Sequence, residues 1–92
     1  MTLQEFTEYL QSSGRSDETL ATLEKLGFSP EFVAKNVLSG NTAVTVSHVA
    51  MLWMGMPNKH DRKRTRQLFD ALSEVGLLRP EGDEETWQLV SR

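Results

Sequence analysis

The sequence predicts a mainly α-helical domain closed by a small C-terminal β-hairpin, and three observations predict it. Apolar residues recur at helical spacing through five segments. Polar caps open these segments, and glycine or proline closes most of them. The last stretch reads as two short strands around a Pro80–Glu81–Gly82–Asp83 turn, the second with Trp87 and Leu89 alternating with Gln88 and Val90.

Thr2 caps the first helix, and Glu5, three residues later, completes a capping box. Leu3, Phe6 and Leu10 mark its apolar face to about Ser12, before Ser13–Gly14 breaks it. Ser16 caps the second helix, with Asp17 and Glu18 in its first turn. Leu20, Leu23 and Leu26 form its apolar face, and Gly27 is its left-handed C-terminal residue. Ser29–Pro30 opens the third helix, with Phe32, Val33 and Val37 inward and Ser39–Gly40 as its end. Thr45 caps the fourth, where Val46, Val49, Ala50 and Trp53 share one face up to Gly55–Met56–Pro57. Asn58 caps the fifth, which runs to about Val75 with Leu68, Phe69, Leu72 and Val75 inward. Leu77–Arg79 and Thr86–Val90 are the two strands. The 92 residues fit one domain, with 1–40 as added helices and 45–92 as the helix-pair and hairpin unit.

Composition narrows the function classes. Hydrophobic residues at 38% and charged residues at 25% suit an ordinary globular protein. The absence of cysteine excludes disulfides and thiolate metal sites, and fits a reducing cytoplasm. The start MTLQEFTEYL carries acids and lacks a basic segment before an apolar run, so no secretory signal is expected. No apolar run is long enough for a membrane span.

The net charge of −3 hides a strong segregation. Residues 59–66, KHDRKRTR, contain five of the ten Lys and Arg and one acid, a block of +4 between two acidic flanks. At 100° per residue, Lys59, Lys63 and Arg66 fall opposite Leu68, Leu72 and Val75. Arg62 lies at the edge of that arc, and Arg64 nearer the buried side. A basic run on a helix is ordinarily a solvated face. Here it occupies the helix N-terminal half, where cations oppose the macrodipole, and function explains that violation better than stability does.

Residues 45–90 resemble the winged helix-turn-helix family. The order of elements carries the resemblance: TVSHVAMLWMGMP as first helix and turn, NKHDRKRTRQLFDALSEVGLL as recognition helix (about 58–75), and RPEGDEETWQLV as wing. The ending ALSEVGLL, an apolar helix end, a glycine and two leucines, is similar to the family's entry into the wing. The resemblance implies double-stranded DNA as partner and a small transcriptional regulator, prokaryotic or phage-like in its compactness. In such proteins the N-terminal part of the second helix enters the major groove. Asn58, Lys59, His60, Arg62, Lys63 and Arg66 are the candidate DNA contacts, reaching phosphates, guanine or adenine edges.

The wing departs from the family pattern, because its tip holds Glu81, Asp83, Glu84 and Glu85. Phosphates repel such a tip, which keeps open an alternative: a winged-helix interaction module, or phage-type inhibitor, gripping an acidic protein partner. No enzyme, metal or cofactor is expected. Ser47 and His48 are helix neighbours that do not face each other, and no Gly-rich phosphate loop or metal-ligand spacing occurs. Met51, Met54 and Met56 read as gap-fillers, with the lining of an interface as the alternative. Residues 1–40 either complete the core or form the surface of a homodimer, with Leu3, Phe6, Tyr9 and Leu10 as the candidate interface, because paired recognition helices read two half-sites.

Overall fold

The computed structural model describes residues 1–40 and 43–90. In chain order the elements are α1 (Leu3–Ser13), α2 (Ser16–Leu26), α3 (Pro30–Asn36), β1 (Ala43–Thr45), α4 (Val46–Met54), α5 (Lys59–Glu74), β2 (Leu78–Pro80) and β3 (Thr86–Leu89). The five helices and the hairpin occur in the predicted order, with differences at the start of α2, the end of α3 and the start of β2.

The α1 cap is reciprocal: the Thr2 hydroxyl accepts the Glu5 N–H at 3.1 Å, and the Glu5 carboxylate accepts the Thr2 N–H at 2.8 Å. Ser29 and Thr45 cap α3 and α4 through their hydroxyls, as expected. Ser16 does not cap α2. It is the first helical residue, and Arg15 stands at the cap position without a side-chain cap bond. Asp17 and Glu18 leave that helix start with its electrostatic complement alone. α3 stops at Asn36, short of Ser39–Gly40.

Phe6 and Leu10 are fully buried, while Leu3 is exposed. Tyr9 is half-buried, and its hydroxyl donates to the Val75 carbonyl at 2.6 Å, tying α1 to the exit of α5. The apolar face of α1 therefore belongs to the core, and Phe6 and Leu10 cannot supply the dimer interface expected of them.

β1 is the element absent from the sequence reading. It pairs antiparallel with β3, Val44 opposite Trp87, so β3 is the centre of a three-stranded sheet of order β1–β3–β2. Three residues are too few to show alternation, and the pairing partner lies far along the chain. β2 starts one residue later than expected because Leu77 closes the end of α5: its N–H reaches the Leu72 carbonyl at 2.9 Å, with Gly76 left-handed at φ 84°. Pro80 sits on the edge strand β2, where its missing N–H breaks no central ladder.

One cluster of buried side chains draws on every element, including Phe6, Leu23, Val33, Val44, Val49, Leu68, Leu78 and Trp87. α5 is its axis, touching α2, α4 and β2. Phe69 packs edge-on against Trp87, with ring centroids 5.1 Å apart. That contact fixes the hairpin against α5. Among the described residues, no helix is long and apolar enough to cross a membrane.

Candidate nucleic-acid interface

The start of α5 is built around one buried carboxylate. The Asn58 side-chain oxygen accepts the Asp61 N–H at 2.9 Å, and Asp61 accepts the Asn58 N–H at 3.0 Å. Asp61 is only 4% exposed, and its other oxygen accepts from Arg64 at 2.7 Å. The Asn58 backbone bond, assisted by Arg64, holds the Asp61 carboxyl below the usual carboxylate range. Beneath it, the buried Thr65 hydroxyl donates to the Asp61 carbonyl at 2.9 Å. The spacing Asn58-x-x-Asp61 was the readable signal for this box, with Asp in place of the usual Glu.

Arg64, hard to place on a helical wheel, now has a position. Its guanidinium lies 4.9 Å from the centre of the Trp53 ring, whose other contact is Phe28, stacked at 4.0 Å. Gly27 carries φ 95°, and a Cβ there would stand 3.3 Å from the Trp53 ring, so glycine keeps the α2 exit clear beneath it.

The basic block thus divides. Arg64 is held by Asp61 and Trp53, and Arg62 donates to the Pro57 carbonyl at 3.1 Å. Asn58 has its oxygen engaged in the cap, which occupies the acceptor half of an adenine-reading amide. Lys59 and Lys63 are exposed and Arg66 is half-buried, and none of the three has an ion-pair partner among the described residues. They share the face opposite the fully buried Leu68 and Leu72. His60 is exposed on the first turn.

The acidic loop divides in the same way. Asp83 accepts the N–H groups of Glu85 and Thr86 at 3.0 and 2.8 Å, and those bonds, Thr86 first, hold its carboxyl below the usual range. Glu85 accepts the Ser47 N–H at 2.8 Å, so the loop caps the first turn of α4. Glu81 and Glu84 are exposed, and Glu84 takes the left-handed conformation at φ 63°.

Between α5 and this loop lies an open groove of about 520 Å³, lined by Lys63, Arg66, Gln67, Asp70, Glu84 and Trp87 among others. The α4 side of the molecule differs. Met51, Leu52, Met54 and Met56 are exposed there, Met56 at 93%. The methionines expected as core fillers are on the surface instead. Searches for similar proteins return no matching family model, curated protein or solved structure.

Proposed function

We propose that the protein binds double-stranded DNA as a winged helix-turn-helix regulator, with α5 as the recognition helix. The observation that carries this reading is the row Lys59, Lys63 and Arg66. Among the described residues the row has no ion-pair partner, and it lies on the open side of a helix whose opposite side is anchored by Leu68 and Leu72. Two further features support it. The order α4–α5–β2–β3, with β1 pairing β3, suits a helix pair followed by a wing. Two of the acids at the wing tip, Asp83 and Glu85, have carboxylates engaged by backbone N–H groups of the chain itself.

The test is a duplex titration at two salt concentrations. Three phosphate contacts give a slope of log affinity against log salt of about −3. Lack of binding at low salt to both random and genomic duplexes removes the proposal. A second reading has its own observation. The exposed Met51, Leu52, Met54 and Met56 favour a protein partner, and that reading takes over when duplexes fail and an acidic protein partner binds.

A further inference from the structure

The groove between α5 and the hairpin loop carries four charges, Lys63 and Arg66 of one sign and Asp70 and Glu84 of the other. None of the four has an ion-pair partner among the described residues. Lys63 and Arg66 are one turn apart on the same helix face, a spacing that lets two cations converge on one anion. Gln67 adds an amide beside them. Trp87, another lining residue, is 5% exposed, and its indole N–H is the one buried side-chain polar atom found without a hydrogen-bond partner among the described residues. Native structures rarely leave such a donor unsatisfied without a reason.

We infer that this groove is a binding site for one nucleotide unit, a monophosphate joined to a base that carries an amino group. The phosphate engages Lys63 and Arg66, which suit it as a point charge and a forked donor. The base amino group donates to Asp70 or Glu84, and Gln67 supplies a further donor and acceptor. Trp87 lines the same groove, so a bound base lies beside its ring. The volume of about 520 Å³ lies within the range of small-ligand clefts. The lining charges cancel, which selects a monophosphate: each further phosphate meets Asp70 and Glu84 without a matching cation. A free mononucleotide and the phosphorylated end of a strand present this same chemistry. The site does not depend on duplex binding, because the groove exists in the chain alone.

The experiment is an NMR titration of the whole protein, without duplex, following the two indole N–H resonances. The probes are AMP, ATP, inorganic phosphate and a short single strand bearing a 5′-phosphate. The Trp87 resonance is expected to shift and saturate with AMP or with the phosphorylated strand, whichever is the source. Trp53, stacked on Phe28 outside the groove, is the internal control and stays in place. Inorganic phosphate, which lacks the base contacts, and ATP, whose further phosphates face Asp70 and Glu84, each bind at least about tenfold more weakly than AMP. Lys63→Ala and Arg66→Ala each weaken the effective probe by about tenfold, while Lys25→Ala, on α2 and outside the groove, leaves probe binding unchanged. A Trp87 resonance unmoved by every probe overturns the proposal. So does a shift that survives both Lys63→Ala and Arg66→Ala, since the binding is then elsewhere. Neither result touches the duplex titration, which is read separately.

Discussion

The basic start of α5 and the acidic loop at 81–85 look like opposites in sequence, yet they are organised alike. Each contains charges that hold the fold and charges that face solvent. Among the described residues, Asp61, Arg64 and Arg62 of α5 are bound to neighbours, and Lys59, Lys63 and Arg66 have no such bond. In the loop, Asp83 and Glu85 take backbone N–H groups, and Glu81 and Glu84 do not. The difference lies in what the free groups do next. The three free cations line up along one helix face, whereas the two free acids sit apart on a turn. A formal charge of +4 or −4 therefore overstates what a partner meets, and the aligned remainder is what argues for function.

The sharpest way to break that division is to reverse free charge alone. Lys63→Glu with Arg66→Glu should lower duplex affinity by about a hundredfold or more, since two contacts become repulsions. Folding free energy should change by no more than about 0.5 kcal/mol per site, because both side chains lie on the solvent face. Duplex titration and denaturant unfolding read the two effects in one variant. Normal folding with unchanged duplex affinity makes the row a solvated face. Unfolding of the variant places these residues against the core, contrary to the burial seen here.

The bound charges are tested by acid. Asp61 and Asp83 sit below the usual carboxylate range when folded, so the folded chain holds fewer protons than the unfolded one. Their contribution is complete above the ordinary carboxylate value of about 4 and is lost as pH falls through the depressed folded values. Asp61→Asn keeps the acceptor for the Asn58 N–H and removes the charge facing Arg64. It should lower stability at neutral pH and flatten the decline below about pH 4. Unfolding curves across pH check this, and an unaltered acid limb shows that Asp61 titrates as an ordinary surface acid. Asn58→Ala, which removes the cap itself, should cost about 1 kcal/mol.

What the sequence showed, and what it did not, follows the same line between local and distant causes. Caps, breakers and apolar stripes are written within a few residues, so Thr2, Ser29, Thr45 and Asn58 could be read directly. The core residues of α5 were legible for the same reason. β1 was not, because its strand character comes from Trp87 opposite Val44 and from no pattern of its own. The surface methionines were misplaced because composition ranks methionine as a core filler and says nothing of which helix faces lack a neighbour. At the candidate site, position on the wheel placed Lys59, Lys63 and Arg66 correctly on the open face. It could not show that Arg62 would reach back to Pro57, that Arg64 would lie on Trp53, or that Asn58 would be engaged by its own helix. The groove joins residues of α5 to residues of the hairpin, and only folding brings them together.

The smallest effects are expected in the loop, where they separate one acid from the next. Glu81→Gln with Glu84→Gln removes the two free charges, and stability should stay within about 0.5 kcal/mol per site. Duplex affinity should rise slightly, by about twofold, as two repulsions weakened by ordinary salt screening vanish. Glu85→Ala differs, because the Ser47 N–H at the start of α4 then loses its acceptor. Loss of that capping interaction should cost about 1 kcal/mol. Glu84 also carries the left-handed conformation, which opposes a side chain by about 1–2 kcal/mol. Glu84→Gly relieves that strain but gives back about 0.5–1 kcal/mol in chain entropy, so a small net stabilisation should remain. Denaturant midpoints for these variants rank the acids directly. A loss at Glu81 and Glu84 that exceeds the loss at Glu85 would reverse the assignment of free and structural charge in the loop, and with it the comparison drawn with α5.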